Sequence, residues 1–191
     1  MLAVLSAKQF FDHEVFELIK PLRFERGQIY CLAGPNGCGK TTLLELMAHI
    51  QRGETEMVLD GHLLGFRDHR YCSGLTYVSL HDPLPDIVVD AYLADQHFKA
   101  NHLIRNMQQK FIGKLSTGER QLLRLLPIFQ YADFVLIDEP FNGLDKKFVT
   151  IIRKQLQALA NNGATVIYAS HILNPDDQEV ACDQCIQIHS L

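Results

Sequence analysis

Apolar residues fall along this chain in two rhythms. Near-continuous apolar runs occur at residues 28–33 (QIYCLA), 75–80 (LTYVSL), 134–137 (FVLI) and 164–169 (ATVIYA). Between them lie longer stretches in which apolar positions recur every three or four residues. The runs are what strands covered on both faces require, and the slower rhythm is a helix with one buried stripe. The pattern predicts short strands over 2–7 and 14–19, then a buried strand over 28–33 feeding a glycine-rich turn and a helix over 40–50. Residues 54–64 read as a hairpin with Asp60-Gly61 at its turn. A polar-rich helical pattern covers 88–110, and Ser116 caps a helix predicted to run to about 130. The strand over 134–137 ends in Asp138, and a helix follows over 146–160 with Phe148, Ile151, Ile152, Leu156 and Leu159 on one stripe. Asn161-Asn162-Gly163 closes it before the strand over 164–169, and 184–188 is the last strand. Helices between buried strands predict an α/β fold, a mainly parallel sheet covered on both faces.

Composition narrows the function classes. With 191 residues, 47% hydrophobic and 21% charged, the chain can bury a core and fits one domain with at most a small insertion. A net charge of -4 argues against a constitutive nucleic-acid binder, which needs a basic footprint. No apolar run reaches the roughly 18 residues that cross a bilayer. The first residues lack a basic flank and read as a strand instead of a secretory signal. A membrane role therefore requires a partner. Five cysteines at irregular spacing, Cys31, Cys38, Cys72, Cys182 and Cys185, fit reduced thiols better than a disulfide framework. The pair Cys182-x-x-Cys185 supplies two of the four ligands a structural zinc takes, so a metal reading is weak.

The chemistry begins at Gly34-Pro35-Asn36-Gly37-Cys38-Gly39-Lys40-Thr41, which satisfies G-x-x-x-x-G-K-[ST] between a buried strand and a helix. Glycines let backbone N–H groups turn inward at a helix N-terminus, where the dipole also favours an anion. Lys40 is expected to reach the β and γ phosphates and the Thr41 hydroxyl to ligate Mg2+, with Thr42 beside it in the loop's anion nest. Alone, this motif defines a nucleotide binder without naming its family.

Four later segments, in order, do name one. Leu115-Ser116-Thr117-Gly118-Glu119 resembles the LSGGQ signature of ATP-binding-cassette (ABC) ATPases. Phe134 to Pro140, containing Asp138 and Glu139, resembles a Walker B strand with its adjacent glutamate. Asn142-Gly143-Leu144-Asp145 resembles the D-loop, and His171 at the end of a buried strand resembles the switch histidine. The resemblance covers essentially the whole chain. It implies a P-loop NTPase of the ABC type, a mainly parallel sheet flanked by helices with a small antiparallel β subdomain and a reduced helical subdomain at about 82–130. In that family Asp138 would hold Mg2+ through water and Glu139 would polarise the attacking water as general base. His171 would contact the γ-phosphate. Ser116 and Gly118 would face ATP held by a second subunit, so that Asp145 and the signature complete a shared site in a head-to-tail homodimer or heterodimer. Ser116 with Glu119 three residues on is also a plain capping box, and the two readings are compatible. Phe10 or Phe11 stands where an aromatic stacks on adenine in that family, and the sequence leaves the choice between them open.

The departures are specific. LSTGE replaces LSGGQ, and Pro127 inside the signature helix is expected to kink or end it. The Q-loop glutamine is missing: after Tyr77-Val78-Ser79 stand Leu80 and His81, either of which takes its place, His81 reaching Mg2+ through a water. The resemblance implies a Mg-dependent ATPase that powers integral membrane subunits from the cytoplasmic face. The alternative is an ABC ATPase of DNA repair, chromosome structure or translation. The sustained heptads and basic linkers of those relatives are not found here.

Overall fold

The computed structural model describes residues 1–11, 15–80, 83–95, 103–129, 132–171 and 182–188. In chain order its elements are β1 (Leu2–Phe10), β2 (Val15–Glu17), β3 (Leu22–Phe24), β4 (Ile29–Ala33), α1 (Lys40–Met47), β5 (Glu54–Leu59), β6 (His62–Leu64), α2 (His69–Cys72) and β7 (Leu75–Ser79). There follow α3 (Val89–Asp95), α4 (Thr117–Arg124), β8 (Phe134–Asp138), α5 (Lys146–Asn161), β9 (Thr165–Ser170) and β10 (Gln184–Gln187).

β10, β4, β9, β8 and β7 form one sheet in that order, every pair parallel. Alternate residues of its strands enter opposite cores, which is why the runs read as continuously apolar. Ile29, Cys31, Val135, Ile137, Val166 and Tyr168 pack with α4 and α5 on one face. Tyr30, Leu32, Phe134, Leu136, Ile167 and Ala169 pack on the other with α1 and the second sheet. Each fully buried side chain of this size contributes about 1.5–3 kcal/mol. The second sheet is antiparallel, β1 pairing with β2, β3 and β5, and β5 with β6. Its hairpin turns at Asp60 (φ 48°) and Gly61 (φ 82°), two left-handed residues as a type I′ turn demands. Among the described residues, no helix is long and apolar enough to cross a membrane.

Two expectations need correction, and two elements were not foreseen. Within the helix predicted over 88–110, residues 96–102 lie outside the described residues, α3 covers Val89–Asp95, and residues 103–109 are turns. They fold back on α3, the N–H groups of Val89 and Asp90 donating to the carbonyls of Lys110 and Gln108. The signature helix stops at Arg124, and the chain continues as a 3-10 turn, Leu126–Phe129, around Pro127. Proline has no N–H to continue the α ladder, so it ends this helix instead of kinking it. β3 and α2 were not anticipated: three and four residues are too short to establish a period.

Candidate functional site

β4 ends at Ala33, and the chain turns through the glycine-rich loop into α1. Gly37 (φ 83°) and Gly39 (φ 90°) both occupy the left-handed region. Gly39 is the N-cap of α1 and brings no side-chain acceptor, and the helix has no acidic residue in its first turn. The first N–H groups of a helix have no partner within it, so this end is left for an external anion. Gly39 also admits a neighbour, since a Cβ there would lie 2.1 Å from the Phe16 ring. Gly37 meets nothing within 4 Å. Gly39→Ala is therefore expected to cost about 2–4 kcal/mol from strain and overpacking together, against about 1 kcal/mol for Gly37→Ala. Urea denaturation of the two variants measures the difference.

Lys40 is buried, and its ammonium donates to the carbonyls of Gly34 (2.8 Å) and Pro35 (2.9 Å). Cys38 is buried beneath the loop with its sulfur 4.0 Å from that ammonium. The loop opens onto a cleft of about 300 Å³ lined by Phe11, Asn36, Gly37, Gly39, Lys40, Thr41, Thr42 and Glu139. Phe11 lines it and Phe10 does not; Phe10 lies under the Lys8 ammonium, 5.2 Å from its ring centre.

β8 delivers the acidic pair. The Thr41 hydroxyl donates to Asp138 Oδ2 at 2.8 Å, joining residues 97 apart in the chain. A hydroxyl and a carboxylate converging beside a phosphate-sized nest are the hard oxygen donors Mg2+ takes, so these residues fit that ion. Asp138 is 2% exposed. Glu139 is next in sequence but sits at φ 52°, where a non-glycine residue pays about 1–3 kcal/mol. That conformation breaks the strand and swings the carboxylate into the cleft. Its N–H donates to Ala169 O (3.2 Å), and its carbonyl accepts from Asn142 N (3.2 Å). Asn142 Nδ2 donates to Glu139 Oε2 at 3.0 Å, and His171 Nδ1 lies 3.4 Å from Oε1. β9, paired with β8, carries His171 to this edge.

The signature lies elsewhere. Ser116 caps α4 in a complete capping box: its hydroxyl accepts from Glu119 N (3.2 Å), and Glu119 Oε2 accepts from Ser116 N (2.8 Å). Lys110 also binds Glu119, at 2.9 Å. Burial opposes its charged form, but these donors to the carboxylate prevail and hold Glu119 below the usual carboxylate range. Neither Ser116 nor Gly118 is among the residues lining the cleft. Gly118 has a packing reason of its own, since a Cβ there would meet the Phe148 ring at 2.3 Å. Asp145 caps α5, accepting from the N–H groups of Lys147 and Phe148. Of the two Q-loop candidates, Leu80 is buried in the core against β7 and β8, and His81 lies outside the described residues.

One participant was not foreseen. Gln121, 7% exposed in α4, donates from Nε2 to Asn142 O at 2.9 Å. It thereby ties the signature helix to the turn that holds Glu139. A signal existed: Gly118, Gln121, Leu122 and Leu125 follow helical spacing on the buried side, and a polar side chain in that stripe needs a partner.

The phosphate nest, the Thr41–Asp138 pair and the Glu139–His171 pair define a P-loop nucleotide-binding protein of the ATPase kind. The sequence model of the ABC transporter family matches residues 21–142, and the chain belongs to that family. Membership implies ATP binding and hydrolysis. The chain is 29% identical over 189 residues to an uncharacterised ABC transporter ATP-binding protein of Methanocaldococcus jannaschii, covering 94% of this chain and 70% of that protein. It is 35% identical over 160 residues to elongation factor 3 of Phytophthora infestans, covering 78% of this chain and 15% of that protein. The fold matches a solved ATP-binding subunit of an ABC transporter with a TM-score of 0.77 at 20% identity, covering 99% of this chain and 86% of that one.

Proposed function

We propose that this chain is the ATP-hydrolysing subunit of a transporter. Residues 1–191 act as one ABC ATPase domain, with residues 82–130 as its helical subdomain. It pairs with a second ABC ATPase subunit and docks on integral membrane subunits from the cytoplasmic face, without nucleic acid. One observation carries the paired arrangement. The cleft gathers the phosphate loop, Thr41 and Glu139, while the capped N-terminus of α4 is absent from its lining. A helix N-terminus favours an anion, which supports a role for Ser116 and Gly118 at a phosphate held by another subunit.

Within the cleft, Phe11 stacks on the base and the loop N–H groups with Lys40 hold the phosphates. Thr41 and Asp138 would hold Mg2+, and the ion would supply positive charge beside the transferring phosphoryl group. Glu139 accepts a hydrogen bond from the attacking water and polarises it. Asn142 fixes that carboxylate from one side, and His171 orients it from the other while facing the γ-phosphate. Transport is favoured over translation because the similarity to the M. jannaschii transporter protein spans most of both chains, whereas elongation factor 3 shares a small fraction of its length.

ATP is expected to drive two chains together, since each signature completes its partner's site, and hydrolysis to release them. Light scattering on the isolated chain with and without MgATP measures this. A strictly monomeric protein with full ATPase activity overturns the shared site.

A further inference from the structure

α4 meets both the start of α5 and the segment that joins β8 to it, the segment that carries Glu139. Gly118 in the first turn of α4 lets the Phe148 ring of α5 lie against that helix, because a Cβ there would overlap the ring. Three residues further along, Gln121 Nε2 donates to Asn142 O at 2.9 Å. Asn142 in turn meets Glu139 twice. Its N–H donates to Glu139 O at 3.2 Å, and its Nδ2 donates to Oε2 at 3.0 Å. Asn142 is exposed, so water competes for the bond its side chain gives. Gln121 is 7% exposed, which shields its own bond from that competition. A bond to the Asn142 carbonyl fixes the planar peptide that follows Asn142. With its N–H already on Glu139, the residue is held on both sides and its amide is aimed at the carboxylate. Next comes Gly143, at φ 69°, which has no side chain to supply that restraint itself.

Packing does not account for the amide. Gln121 shares the buried side of α4 with Leu122 and Leu125. Its Oε1 is buried without a partner among the described residues. An unmet buried acceptor costs stability, a cost that methionine or leucine at this position would not incur. What the amide adds is the N–H it gives to Asn142.

We infer that Gln121 is a positioning residue for hydrolysis: it holds Asn142, and Asn142 holds the Glu139 carboxylate toward the attacking water. This role rests on Glu139 acting as the general base. Gln121 is not among the residues lining the cleft, so its influence reaches the chemistry through Asn142. Lys40 and Thr41 keep their own partners without it. Its loss therefore leaves nucleotide binding in place and lowers the rate. A catalytic group displaced by about 1 Å can cost on the order of 10²-fold.

The test is steady-state phosphate release from the full chain across a range of MgATP concentrations. Gln121→Met keeps the length and burial of the side chain and removes the N–H. Its urea midpoint should equal or exceed that of the unmodified chain, because the orphaned acceptor is removed with the donor. Its kcat should fall about 10–100-fold while KM stays within about twofold. Gln121→Asn, an amide one methylene too short to reach Asn142, should show the same loss, and it decides should Gln121→Met not fold. Combined with Glu139→Gln, Gln121→Met should cost nothing further, since a base already removed cannot be misaimed. Unmodified kcat in either folded variant, a loss confined to KM, or losses that multiply in the double variant overturns the positioning role. A slow Glu139→Gln beside a fully active Gln121→Met overturns that role alone. A fully active Glu139→Gln overturns the general-base reading beneath it.

Discussion

Glu139→Gln is expected to bind MgATP as the unmodified chain does and to hydrolyse it about 10²–10⁴-fold more slowly, the contribution of a positioned general base. The amide is nearly isosteric, and its oxygen can still accept the hydrogen bond that Asn142 gives at 3.0 Å. The left-handed backbone at φ 52° makes no demand that glutamine meets less well than glutamate. What is lost is the acceptor charge facing the attacking water. Steady-state phosphate release beside fluorescent-nucleotide binding separates the two effects, and the ATP-bound dimer of this variant should persist. Near-normal turnover removes Glu139 from the mechanism.

Lys40→Ala is expected to fail at the earlier step, with nucleotide affinity reduced about 10–100-fold or more. A hydrogen bond to a charged group contributes about 1.5–3 kcal/mol, and each 1.4 kcal/mol is a factor of ten. The ammonium that bonds Gly34 O and Pro35 O is the group expected on the β and γ phosphates, so its loss removes both a loop clamp and a ligand. Circular dichroism separates a folded protein that cannot bind from one that has collapsed. Unchanged affinity in a folded variant would exclude Lys40 from phosphate binding.

The parallel sheet was legible because each central strand is buried on both faces. Sequences such as IYCLA and TVIYAS then have no polar alternation to hide them. The hairpin was legible because Asp60-Gly61 is the chemistry its turn requires. Residues 103–110 misled for a physical reason: Ile104 and Met107 are buried at three-residue spacing, as on a helix, but a turn joins them, with Met107 N donating to Ile104 O. In the site, the phosphate loop is contiguous and reads directly. Asp138, Glu139 and His171 could be placed because their strands run to one sheet edge. That Phe11 and not Phe10 lines the cleft needed the course of the chain past β1, and the Phe16–Gly39 contact needed the packing of two sheets. Neither leaves a local pattern.

The bond from Gln121 to the Asn142 carbonyl makes the N-terminal and buried sides of α4 parts of one lever. Its tip carries Ser116; its shank, through Asn142, reaches the carboxylate of Glu139. In the sandwich proposed above, the tip answers to the neighbour's phosphate and the shank to this chain's own. In a pair of the kind proposed, a shift of α4 toward the opposite nucleotide would pull, through Gln121 and Asn142, on the glutamate of its own cleft.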